Sequence, residues 1–202
     1  ETLKKALETY KELQNSGIMI LVNDWDQYIS TMNTEAVAGV INGCWITGSI
    51  KAAEDQSGKW AITNLPKMAG VGEQSNYSNN GGSSWAVAGN SKKKDLAADF
   101  LAKTFAGSTE LYDNILPSGA LATWLPAGGT SAYSEKVEFF GGQKVYSLLT
   151  DFASKTPTNN TGVYYYEARD AVSIAATNIT TGADVDSELK TAEDTVNFAM
   201  GK

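Results

Sequence analysis

A chain of 202 residues, 42% hydrophobic and 19% charged, suits one sizeable domain or two small ones and argues against disorder. Its net charge of −7 and isoelectric point near 4.6 disfavour nucleic acid as a partner, because phosphate backbones are gripped by clustered Lys and Arg. The absence of histidine and the single cysteine, Cys44, remove Ser-His-Asp and Cys-His catalysis, imidazole metal sites and any intrachain disulfide.

Leu3, Ala6, Leu7, Tyr10 and Leu13 fall at helical spacing, and Gly17 follows where a left-handed cap belongs. The chain therefore opens on an amphipathic helix, without an initiator methionine or a charged-then-apolar leader. A fragment, or a mature protein whose front has been removed, is the expectation. Ile18–Val22 is a short apolar run, Asn23–Asp26 a turn or helix start, and Gln27–Met32 a short helix. Glu35–Ile50 reads as a small-residue strand that breaks at Asn42-Gly43, a strong turn dipeptide, and presents Trp45 just beyond the break.

Trp60–Leu65 reads as a further strand, stopped by Pro66. Lys67–Asn80 is rich in Gly, Ser and Asn, and Gly81-Gly82-Ser83-Ser84 feeds a strand at Trp85–Ala88. Ser91–Phe105 is a helix with Ser91 as possible N-cap and Leu96, Phe100 and Leu101 on one face. Glu135–Ala153 looks helical in two parts around Gly141-Gly142. Tyr164-Tyr165-Tyr166 opens a helix carrying Ala168, Val172, Ala175 and Ala176, and Asp184 can cap a last helix with a seam of Val185, Leu189, Ala192 and Val196. Helices alternating with strands give an α/β class. No run approaches the ~20 apolar residues of a membrane span.

Taken in order, these features resemble the C-terminal half of the sugar-binding, maltose-binding-protein-like family of ABC-importer extracellular solute-binding proteins. The resemblance is carried by Asn42-Gly43-Cys44-Trp45, the strand closed by Leu65-Pro66, Gly81–Ser84, the Lys94–Phe105 helix, the aromatic start at Tyr164–Tyr166 with Arg169, and the closing helix from Val185-Asp186. It covers nearly the whole chain. It implies a type II periplasmic-binding-protein-like fold that is incomplete here, with the N-terminal half missing. Residues 1–70 and 156–202 would belong to the C-terminal lobe and 71–155 to the N-terminal lobe with its hinge crossings. It also implies a carbohydrate ligand held in an interlobe cleft, a membrane permease as partner, and an extracellular location, as a surface lipoprotein or a periplasmic protein. Pairing with a missing N-terminal fragment, or a homodimer, is expected of strands without neighbours.

Sugar recognition needs aromatic faces for the C–H face of a pyranose and polar groups for its hydroxyls. The resemblance puts Trp45, Tyr164 and Tyr165 at cleft-lining positions, with Tyr165 the foremost stacking ring; core packing is the competing role. Gly81, Gly82 and Ser83 could let backbone amides approach hydroxyls, or form an ordinary hinge turn. Arg169, the sole arginine, could hold hydroxyls or a carboxylate, or make a structural ion pair. Trp124, in a Pro-flanked loop, and Trp25, between two aspartates, are further candidates, and Asp24 could accept from a hydroxyl. No catalytic residue, metal or cofactor is expected. The alternatives are a glycoside-active enzyme fragment using a pair among Asp24/Asp26, Glu54/Asp55, Glu135/Glu138 and Asp184/Asp186, or a non-catalytic surface module.

Overall fold

The computed structural model describes residues 1–72, 74–159 and 161–202. Its helices are α1 (Thr2–Asn15), α2 (Trp25–Asn33), α3 (Ile46–Ile50), α4 (Lys94–Lys103), α5 (Thr109–Ile115), α6 (Val145–Lys155), α7 (Tyr165–Thr180) and α8 (Val185–Ala199). They fall into two compact units. One comprises Glu1–Leu21, Lys67–Gln74 and Thr158–Lys202; the other comprises Val22–Pro66 and Ser75–Pro157.

In the first unit α7 and α8 pack through Ala171, Ala175 and Ala192, with Val196 against them. Alanine side chains let the two backbones approach closely, and the buried Ile179 adds about 1.5–3 kcal/mol of apolar burial. The turn between these helices is closed by Gly182, at φ +113°, and by Asp184, whose side chain accepts the Ser187 N–H at 2.9 Å. Lys4 of α1 pairs with Asp186 at 2.6 Å, and Lys11 donates to the Ala183 carbonyl at 3.2 Å. As the spacing predicts, α1 ends before Gly17, which is at φ +75°.

The second unit is built on Met32, Ile46, Ile50, Leu116, Tyr133, Phe140, Val145 and Tyr146. Gln56 is buried inside it, yet both ends of its amide are used. Its Nε2 donates to the Met32 carbonyl at 3.0 Å, and its Oε1 accepts from the Trp60 indole at 2.5 Å. A buried amide left unpaired would cost about 1–3 kcal/mol.

The α/β expectation is met on its helical side only. Among the described residues the strands expected at Glu35–Ile50, Trp60–Leu65 and Trp85–Ala88 form no ladder, the end of the first, Ile46–Ile50, is the helix α3 instead, and one antiparallel bridge, Val137 to Gln143, stands alone. A strand exists through a neighbour that takes its N–H and C=O groups. Ile62 finds a side chain instead: its N–H donates to Gln143 Oε1 at 2.7 Å and its carbonyl accepts from Gln143 Nε2 at 3.0 Å. The Ser91 cap also differs from expectation. Ser91 Oγ accepts the Lys93 N–H at 3.2 Å in a turn that precedes α4, so the helix starts at Lys94 with Lys93 in the cap position.

Candidate functional site

Asp24 sits in extended backbone before α2, and its carboxylate accepts the Gln27 N–H at 2.8 Å. That cap fixes the first turn of the helix, and Trp25 and Tyr28, three residues apart, share a face. Their ring centroids lie 5.5 Å apart at 36°. Trp45 meets the same group from the Gly43–Ile46 turn that leads into α3; the turn falls at Cys44-Trp45, not at the expected Asn42-Gly43. Its indole is 5.7 Å from that of Trp25, at 35°. Both indoles are well exposed, 49% for Trp25 and 41% for Trp45. Such spacing lies in the favourable range for tilted aromatic pairs.

The polar rim of this group consists of amides. Trp45 Nε1–H donates to the Asn80 carbonyl at 2.9 Å. Asn42 Oδ1 accepts from the Gly43 N–H at 2.7 Å and from Asn80 Nδ2 at 2.8 Å, and Asn42 Nδ2 donates to the Tyr28 hydroxyl at 2.8 Å. Two glycines make room for it. A Cβ on Gly43 would fall 2.5 Å from Trp45 Nε1 and 2.7 Å from the Asn80 carbonyl oxygen. One on Gly119, at φ +87°, would fall 2.7 Å from the Cys44 carbonyl oxygen and 3.1 Å from Trp45 Cα. Cys44 is half-buried, and burial pushes its thiol up from the ordinary value, which leaves it the less reactive protonated form.

Of the expected residues, Trp25 and Trp45 come together, Gly81 lies against them, where a Cβ would fall 3.6 Å from Trp45 Nε1, and Asp24 serves the helix that carries Trp25. Gly81 and Gly82 take φ +99° and +111°, and the Gly81 carbonyl accepts from Asn79 Nδ2 at 3.1 Å. Ser83 is exposed beside them in sequence. Trp124 is half-buried at the start of the Leu125–Gly129 turn, outside the ring pairs found among the described residues. Tyr28, Asn42 and Asn80 complete the group and were not expected. Tyr28 was the accessible one, because it follows Trp25 at helical spacing.

Tyr164, Tyr165 and Arg169 belong to the first compact unit. Tyr164 is half-buried at the start of α7, and the Tyr165 ring, 41% exposed, stands 5.4 Å from that of Tyr166 at 77°. Arg169 lies over the Tyr166 ring at 5.0 Å and donates from Nε and Nη2 to Asp170 Oδ1 at 2.9 and 2.7 Å. The structural ion pair weighed for Arg169 is therefore present, and Asp170 raises the guanidinium further above its ordinary value. Several acids of the suspected catalytic pairs have structural work: Asp24 and Asp184 cap helices and Asp186 pairs with Lys4.

An exposed aromatic pair with amides at its edge offers flat faces for stacking beside polar groups. Residues 1–123 match the family of bacterial extracellular solute-binding proteins. The chain belongs to that family. A lactose-binding protein of Rhizobium radiobacter is 37% identical over 193 residues, a similarity that takes in 95% of this chain and 46% of that protein's length. This solute-binding chain thus spans about half the length of the curated relative it matches. The family implies a periplasmic-binding-protein-like fold and a binding rather than an enzymatic role. The family match holds Asp24, Trp25, Trp45, Gly81, Gly82 and Ser83, and ends just before Trp124. No helix among the described residues is long and apolar enough to cross a membrane.

Proposed function

We propose that this chain is part of the sugar-binding component of an ABC importer, which holds a mono- or oligosaccharide in an interlobe cleft and passes it to a membrane permease. The observation that carries the reading is the exposed Trp25–Trp45 pair with the Asn42 and Asn80 amides at its edge. The lactose-binding relative supports the ligand class. Trp45 and Trp25 act as the stacking platform, and the Gly81–Ser83 backbone takes hydroxyls. Tyr164 and Tyr165 supply further rings, Arg169 and Asp24 polar contacts, and Trp124 an outer contact.

Calorimetric titration of the protein with lactose, then with a panel of other saccharides, tests this. Trp45→Ala and Tyr165→Ala should each weaken binding by about 1–3 kcal/mol, as removal of a stacking anchor does. Unchanged affinity in both variants removes the ring assignment, and no binding across the panel removes the ligand class. The assignment of 1–70 and 156–202 to one lobe and 71–155 to another belongs to the same proposal, as does the choice between a lipid-anchored and a free extracellular protein.

A further inference from the structure

We infer that Asn42 is the positioning residue of the Trp45 indole: its carboxamide ties α2, the Gly43 backbone and the Asn79–Gly82 loop by hydrogen bonds into a ring of contacts that the Trp25 stack closes. This rests on the sugar-binding reading for its purpose, though not for its geometry. An exposed indole is useful as a platform only if it is held in place before the ligand arrives, since ordering it on binding costs affinity. Two things hold Trp45: the neighbouring Trp25 ring and the Asn80 carbonyl that accepts its Nε1–H.

The Asn80 carbonyl is by itself a poor anchor. It belongs to an exposed, irregular loop followed by two glycines at positive φ. Asn42 corrects this, because its Oδ1 accepts from the Asn80 side chain while it also accepts the Gly43 N–H. Asn42 is in turn held by the Tyr28 hydroxyl, on the helix face that carries Trp25. The links run Trp25, Tyr28, Asn42, Asn80, Trp45 and back to Trp25. Half-buried, Asn42 uses three of the four hydrogen bonds its amide can make. Aspartate could keep this arrangement, since a carboxylate accepts from Gly43 and Asn80 and the Tyr28 hydroxyl can rotate to donate. Alanine loses all three bonds.

The experiment reads hydrogen exchange at the indole N–H of each of the five tryptophans by NMR, with the Trp45 signal assigned through Trp45→Phe. Asn42→Ala should speed exchange at Trp45 about threefold to tenfold, the worth of one hydrogen bond, while Asn42→Asp restores it. Lactose affinity should fall in Asn42→Ala and recover in Asn42→Asp. Wild-type exchange at Trp45 in a folded Asn42→Ala protein overturns the inference, and so does wild-type lactose affinity in that variant. If Asn42→Ala does not fold, Asn80→Ala, which trims an exposed side chain from the same ring, should also speed Trp45 exchange, and an unchanged rate overturns the inference equally. A wild-type protein that binds no saccharide of the panel counts against the sugar reading alone, because the exchange rates still decide the positioning role.

Discussion

Single positions around Trp45 are constrained by space as much as by chemistry. Gly119 combines a left-handed backbone with a Cβ position already filled by the Cys44 carbonyl and Thr47 Oγ1. Gly17 has a similar φ, +75°, with open space around it. Ala at Gly17 should therefore cost about 1–2 kcal/mol for conformation alone. Ala at Gly119 should cost more, because it must also push the turn away from α3, and the ordering of the two urea midpoints checks this. Trp25 and Trp45 were both legible as candidate rings from their sequence neighbours. Their pairing was not, since it depends on how α2 and the Gly43–Ile46 turn fold back on each other. Asn80 was the least legible, because it acts partly through a backbone carbonyl in a loop without periodicity.

At the scale of elements, the longer helices were readable, whereas the short α3 and α5 and the strands were not. A helix carries its hydrogen bonds within itself, so periodicity and caps in the local sequence announce it, as Gly17 and Asp184 do for α1 and α8. A strand is completed by another segment, which local sequence does not name. The cap on α8 also makes a pH prediction. The Ser187 N–H and hydroxyl, with smaller help from Lys4 and Lys11, hold the Asp184 carboxyl below the usual aspartate value. A depressed folded value means the stabilisation is fully present above the unfolded value and is lost as pH falls through the folded one. Thermal melts followed by helical circular dichroism should thus show an acid-side loss, below the usual aspartate range, that is reduced in Asp184→Asn.

For the molecule as a whole, apolar side chains stand exposed along segments expected as strands and along the apolar run after α1: Ile41, Trp85, Ile18 and Leu21 are each about two-thirds exposed or more. On α4, Leu96 and Phe100 are also exposed, and no residue of that helix is buried. Such surface favours association, through an added strand or a second copy. We expect light scattering to give a mass above that of one 202-residue chain, or to do so until the N-terminal part of a longer relative is supplied. A monomeric mass with cooperative unfolding and no such pairing would count against this. The family's general architecture was legible because its motifs occur in order, whereas the apposition of its layers depends on length that this chain shares with only part of its relative.

The Gln143 carboxamide has one more implication. It occupies both backbone groups of Ile62, so on that edge it acts as a competitive occupant, one residue long, of a strand-binding position. Any incoming strand that paired there would have to evict it. Replacing Gln143 with Ala should vacate the position, and hydrogen exchange at the Ile62 amide should quicken in the isolated chain yet slow again once a true neighbour strand binds. A side chain would then be setting the threshold at which a sheet can grow.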